Sequence, residues 1–227
     1  MLETRAIAEE LMDAEDLDAQ TYAHVLRDLS QVNTITMARR PTLNFLACAT
    51  RGMTRFRLLD VGFGDGDMLR AIARWARTRG IAAELIGVDL NPRSQGAAQS
   101  RTPQTFAIDY RTGDYADQPE PFDFVISSLV AHHMTQDQLI AFLAFMESHA
   151  HRGWLINDLH RHGFAWAGYP LLARLMRWHP IVRHDGQLSI ARSYRPHEWP
   201  PLLAQASVTG ARVYRAFPFR LCVETIR

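Results

Sequence analysis

The sequence predicts an α/β chain: a doubly wound, mostly parallel sheet of seven strands, with an antiparallel edge strand and a helical arm ahead of the first strand. Three observations carry that expectation. An apolar strand-like run, Arg57 to Val61, enters a turn with glycines at positions 62, 64 and 66 and continues into helix-periodic residues. Short apolar runs then alternate with helical segments to about residue 160, the alternation that builds parallel sheets. Finally, Arg212 to Phe217 and Arg220 to Thr225, split by Pro218, read as a closing hairpin after a short helix around Leu202 to Ala206.

Residues 1–54 read as an N-terminal helical cap. Asp18 can cap a helix with Tyr22, Val25, Leu26 and Leu29 on one face, Leu17 and Tyr22 are spaced as a hydrophobic staple, and Pro41 suits the start of a second helix. Such an arm either covers a ligand or completes the core. Residues 55–227 form the main domain. Leu69, Ile72, Ala73 and Ala76 give the helix Met68 to Thr78 its buried face, and Gly80 ends it. Glu84 to Asp89 is the second strand, with Asn91-Pro92 opening the next helix. Thr105 to Tyr110 and Phe122 to Ser128 are the third and fourth strands. Thr135 to Gln138 is a capping box for a helix buried through Leu139, Phe142, Leu143 and Met146, with Gly153 just past its end and Trp154 to Asp158 as the fifth strand.

Composition narrows the partners. Across 227 residues, 25 Lys and Arg balance 24 Asp and Glu for a net charge of +1, so there is no field to gather nucleic acid or an anionic membrane surface. A small molecule is the expected partner. Cys48 and Cys222 are far apart among apolar neighbours, which argues against a disulfide framework and fits a reducing, cytoplasmic compartment. Met1 to Arg5 lacks the basic start of a signal peptide. The most apolar stretch, Phe164 to Val182, is interrupted by Pro170, Arg174, Arg177 and Pro180, so no stable membrane insertion is expected.

The turn D-V-G-F-G-D-G carries the chemistry. Gly62, Gly64 and Gly66 let the backbone approach a ligand. A dinucleotide fingerprint would place a glycine where Asp67 stands, and an acid at a helix N-terminus disfavours a pyrophosphate. Asp60, two residues ahead of the first glycine, can attract the cationic end of a ligand. Asp89 lies about 20 residues past the glycines, the offset at which an acid takes ribose hydroxyls; its competing role is a helix N-cap.

These residues resemble the motifs of the class I S-adenosylmethionine-dependent methyltransferases, whose fold is Rossmann-like, over residues 55–160. The small-molecule branch of ubiquinone and menaquinone type is most similar. N-D-L-H-R-H and V-R-H-D-G-Q-L-S-I-A-R-S-Y-R-P resemble bacterial enzymes encoded beside type III polyketide synthases. The resemblance implies S-adenosylmethionine as cofactor and S-adenosylhomocysteine as product. It places them on Asp60, Gly62, Gly64 and Gly66, with Asp89 and Leu90 at the ribose, Asp114 and Tyr115 at the adenine and Ser128 at the fourth strand's end. Asp109 competes for the adenine, and Gly113-Asp114 also suits a plain turn. Phe63 and Asp65 depart from the small residues usual in this turn. The absence of N-P-P-Y or D-P-P-Y after the fourth strand disfavours the amino-methylating nucleic-acid branch.

Methyl transfer from a sulfonium needs an in-line acceptor lone pair, and a base helps when the acceptor is a phenol. His133, after strand four, and His160, after strand five, are the candidate bases. His132, Trp166, Tyr169 and Trp178 are the expected acceptor contacts. The segment 161–195 reads either as a substrate lid or, through its aromatic residues, as buried core. Asp158-x-His160-x-His162 has a metal-like spacing, but a solvated loop fits it better and no metal is expected. The leading reading is methylation of a hydrophobic, aromatic or polyketide-derived molecule, on oxygen in preference to carbon. An NAD-type oxidoreductase and a non-catalytic cofactor-binding protein are the alternatives. The acceptor's identity and the oligomeric state are not legible.

Overall fold

The structure, a computed structural model, describes residues 2–14, 16–118 and 121–227. Its seven strands are β1 (Arg55–Val61), β2 (Ala82–Asp89), β3 (Ile108–Thr112), β4 (Phe122–Ser128), β5 (Ala150–Leu159), β6 (Arg212–Ala216) and β7 (Arg220–Ile226). They form one sheet in the order β3-β2-β1-β4-β5-β7-β6. The first five are parallel, and β7 runs antiparallel between β5 and the edge strand β6. The helices are α1 (Ala19–Ile35), α2 (Arg40–Ala49), α3 (Asp67–Thr78), α4 (Pro92–Arg101), α5 (Gln136–His149), α6 (Gly163–Leu175), α7 (Pro180–Arg192) and α8 (Trp199–Gln205).

The two-residue period of β1 sends neighbouring leucines to opposite layers. Leu59 joins Val125, Ile156 and the α5 residues Leu139, Phe142, Leu143 and Met146. Leu58 joins Phe45 of α2, Leu69 and Ile72 of α3, and Phe124. A sheet covered on both faces explains why its central strands are apolar throughout.

Local signals hold where they were read. Asp18 accepts from the amides of Gln20 and Thr21, Asn91 from Arg93, and the Thr135–Gln138 capping box is complete. Gly80, with φ +66°, follows the last turn of α3.

Three boundaries differ. β3 begins at Ile108 because the Phe106 amide donates to the Pro103 carbonyl at 2.9 Å and spends these residues on a turn. β5 begins directly after α5, so Gly153 lies inside the strand rather than past the helix. A Cβ there would come within 2.3 Å of the Thr225 carbonyl oxygen on β7. Pro170 lies within α6, which runs on to Leu175, and Arg177 takes φ +56° in the turn that follows. Among the described residues no helix is long and apolar enough to cross a membrane.

Candidate active site

The C-terminal ends of β1, β2, β4 and β5 meet at one cavity of about 600 Å³, as expected where an open sheet changes winding direction. The turn after β1 forms part of its wall. Gly62 has φ +78°, and a Cβ there would meet Val130 Cγ2 at 2.3 Å; Gly66, at φ +75°, would meet the Tyr110 hydroxyl at 2.4 Å. Both positions therefore require glycine for conformation and for space. Phe63 and Asp65, the unusual residues, turn into the protein. Phe63 packs on Tyr110 with centroids 4.9 Å apart, and Asp65 is paired with Arg70 and Arg101.

Asp60 lines the cavity at 1% exposure, and neither carboxylate oxygen has a hydrogen-bond partner. Burial, then the nearby Asp67 and Asp89, pushes its pKa well above the ordinary carboxylate value. Arg220, on β7, is 2% exposed and lines the same cavity; its Nη2 reaches Thr36 Oγ1, while its Nη1 has no partner. The cavity thus holds a buried carboxyl group with no hydrogen-bond partner and a buried guanidinium whose Nη1 has none.

Asp89 accepts from the Gly64 amide through Oδ2 and from the Asn91 amide through Oδ1, both at 2.9 Å. It braces the glycine turn, while Asn91 caps α4. Leu90, Tyr115 and Ser128 also line the cavity, and Tyr115 rests on Phe142 and Phe145. Asp114 is outside the lining and caps the short turn Tyr115–Asp117 through the Ala116 amide. Asp109 is exposed and paired with Arg111.

Helices roof the cavity. α1 contributes Tyr22, Leu26, Leu29 and Asn33, and α6 contributes Ala165, Gly168, Tyr169 and Leu172, each set at helical spacing. Trp166 is not in the lining. Trp178 is 1% exposed in a small core with Val25, Ala173 and Val182, its indole donating to Gln31 at 3.2 Å. The segment therefore divides: the inner face of α6 belongs to the cavity wall, and Trp178 belongs to the core.

The polar end of the cavity lies where β4 runs into the turn Ala131–His133. His132 is 3% exposed; its Nδ1 meets Asp158 Oδ1 at 2.7 Å and its backbone amide meets Asp158 Oδ2 at 2.8 Å. Its Nε2 has no hydrogen-bond partner and lies 3.6 Å from Glu10 Oε1. His133 puts Nε2 3.8 Å from Glu10 Oε2 and Nδ1 3.4 Å from Asp13 Oδ2. Burial would lower the His132 pKa, but Asp158 and Glu10 outweigh it and raise it to about 9. Burial would likewise raise the Glu10 carboxyl, which His132 instead holds at about 2. Arg5 and Arg192 fix this turn by donating to the carbonyl of His132.

His160 is elsewhere. It is outside the cavity lining, packs near His162, and is pushed down to about 4 by burial and neighbouring positive groups. The Asp158-x-His160-x-His162 spacing does not converge either, since Asp158 turns to His132. Glu10 was not legible in sequence, because it stands in an N-terminal segment with no periodicity. No local signal singles it out, because Glu9, Asp13, Glu15 and Asp16 stand beside it in the sequence.

Residues 58–153 match the family model described as "Methyltransferase domain". The fold is that of class I S-adenosylmethionine-dependent methyltransferases. Magnesium protoporphyrin IX methyltransferase from Synechocystis PCC 6803, with bound S-adenosylhomocysteine, is 17% identical with a TM-score of 0.56, over 95% of this chain and 90% of that chain. The plantazolicin methyltransferase BpumL, in complex with a triazolic desmethyl analogue and S-adenosylhomocysteine, is 13% identical with a TM-score of 0.66, over 89% of each chain. Human N-acetylserotonin methyltransferase, in complex with S-adenosylmethionine, is 16% identical with a TM-score of 0.66, over 98% of this chain and 60% of that one. No curated protein sequence matches the chain. Each of these three structures holds S-adenosylmethionine or S-adenosylhomocysteine.

Proposed function

We propose that this protein transfers a methyl group from S-adenosylmethionine to a hydroxyl of a hydrophobic, aromatic or polyketide-derived small molecule. The observation that carries the reading is the pair of buried groups in one cavity, the Asp60 carboxyl and the Arg220 Nη1, that lack hydrogen-bond partners. The amino-acid end of S-adenosylmethionine is a zwitterion, and Asp60 and Arg220 offer its ammonium and carboxylate the partners they themselves lack. Gly62, Gly64 and Gly66 give backbone access, Asp89 and Leu90 take the ribose, Tyr115 and Ser128 line the remainder, and Asp114 takes the adenine amine if its turn opens.

The cofactor supplies an electrophilic methyl: the acceptor oxygen gives a lone pair to the methyl carbon, the carbon–sulfur bond breaks with its electrons on sulfur, and the acceptor loses a proton. The chain orients the acceptor and handles that proton. Glu10, His132 and His133 receive the hydroxyl at the polar end, with His133 as the base favoured by position. Residues 1–54 act as a cap and 161–195 as a lid, through the cavity faces of α1 and α6. Tyr169 supplies an aromatic wall for a flat acceptor.

Calorimetry tests the cofactor half. S-adenosylhomocysteine is expected to bind and NAD to fail, and Asp89→Ala is expected to weaken binding by more than about tenfold, as loss of a charged hydrogen-bond acceptor does. Binding of NAD in preference would revive the oxidoreductase reading; unchanged affinity in Asp89→Ala would remove the ribose assignment.

A further inference from the structure

We propose that Glu10, His132 and His133 form a binding site for one divalent transition-metal ion of zinc-like preference, open toward the acceptor part of the cavity. Among the described residues these three bring one ligand atom each within 4.8 Å of one another. Ligand atoms around a tetrahedral ion with bonds of about 2.0–2.2 Å stand about 3.4 Å apart. Here Nε2 of His132 and of His133 lie 3.6 and 3.8 Å from the two Glu10 oxygens, within a few tenths of an ångström of that spacing.

The surroundings make this more than a cluster. Each imidazole turns Nδ1 to an outer carboxylate, His132 to Asp158 at 2.7 Å and His133 to Asp13 at 3.4 Å, and presents Nε2 to the shared carboxylate. Outer carboxylates on Nδ1 are what fix the tautomer and aim Nε2 in metal-ligating histidines. The His132 Nε2 is fully enclosed, makes no hydrogen bond and faces the Glu10 carboxylate at 3.6 Å. Ser189 donates to Glu10 Oε1 at 2.7 Å and Arg192 lies 3.9 Å from the same oxygen, holding the carboxylate in place while Oε2 faces His133. Two imidazoles and one carboxylate suit zinc and its neighbours in the first row, not magnesium or calcium.

Three protein ligands leave a fourth position, and all three residues line the cavity. Resting on the methyl-transfer reading above, the inference assigns that position to the acceptor hydroxyl. With the ion in place His133 is a ligand and no longer the base: the oxygen binds with loss of its proton to bulk water and keeps the lone pair that attacks the methyl carbon. The ion thereby makes a weakly acidic hydroxyl reactive at neutral pH.

The test uses the full chain stripped of metal, with Co²⁺ as a spectroscopic probe and Zn²⁺ as its competitor, and S-adenosylhomocysteine calorimetry on every sample. One Co²⁺ per chain is expected, with visible absorption bands of a four- or five-coordinate site, displaced by Zn²⁺ and not by Mg²⁺. His133→Ala and Glu10→Gln are expected to abolish the bands while S-adenosylhomocysteine binds as before. Asp13→Asn, at an exposed side chain that leaves the fold untouched, is expected to weaken Co²⁺ about 10–100-fold. Absence of stoichiometric binding, or binding that survives both ligand substitutions, would overturn the site. If S-adenosylhomocysteine binds and Co²⁺ does not, the metal inference alone falls; if neither binds, the cofactor reading falls with it.

Discussion

Asp60 illustrates how function is stored in a single residue as an unfavourable state. Its carboxylate is enclosed without a partner, and burial with two neighbouring acids raises its pKa well above the usual value. An unfolded carboxyl ionises near about 3.9. A folded pKa above that means the native state holds the proton longer, so stability falls as pH rises from that value through the folded pKa. Asp60→Asn removes this slope. The variant is expected to melt higher than the parent at neutral and alkaline pH, to match it in acid, and to bind S-adenosylhomocysteine more weakly. Thermal melts across pH, paired with calorimetry, check all three; a variant that melts lower and binds normally would make Asp60 a structural residue. Asp89 differs in that two backbone amides already occupy it, so its substitution loosens the glycine turn as well as any ribose contact.

At the scale of elements, the N-terminal segment and α7 act together. Asp185, 2% exposed, accepts from the amides of Leu11 and Met12 at 2.9 Å each, and so seats the segment that carries Glu10 into the cavity. Asp185→Ala strands two donors and is expected to cost about 1–3 kcal/mol. Hydrogen exchange should rise across residues 6–13, and the Michaelis constant for the acceptor should rise with it. Unchanged exchange would show that other contacts seat the segment. α6 shows the complementary division. Ala165 and Tyr169 face the cavity, whereas Leu171 and Leu175 on the outer side are 73% and 76% exposed. Trp178→Ala is expected to destabilise by about 3–5 kcal/mol, the cost of emptying a buried aromatic site. A stable variant with impaired acceptor binding would return Trp178 to the cavity wall.

Over the whole molecule, what could be read in advance follows from which forces act locally. Strands and helices of the central sheet are encoded by period and caps that act within a few residues, which is why β4 and the α5 capping box stand where the pattern puts them. Gly153 misled because a glycine beyond a helix and a glycine admitting a neighbouring strand look alike until β7 is in place. The glycine turn and Asp89 were legible as cavity-lining residues for the same local reason: they sit at fixed offsets from strands. At the polar end the histidines His132 and His133 were legible and the groups facing them were not. Glu10 reaches His132 across more than a hundred residues of chain, Arg220 enters from β7, and no spacing announces either.

The most direct test of the account is incubation of the full chain with methyl-labelled S-adenosylmethionine and a panel of phenols, quinols and polyketide pyrones, with tRNA and a protein mixture as further acceptors. Label is followed by mass spectrometry to the atom that receives it. The account predicts label on an oxygen of a hydrophobic small molecule, S-adenosylhomocysteine formed in equal amount, and a rate about 10²–10⁴-fold lower in His133→Ala with S-adenosylhomocysteine affinity retained. Label found only on tRNA or protein, or no transfer to any acceptor from a chain that binds the cofactor, would contradict it.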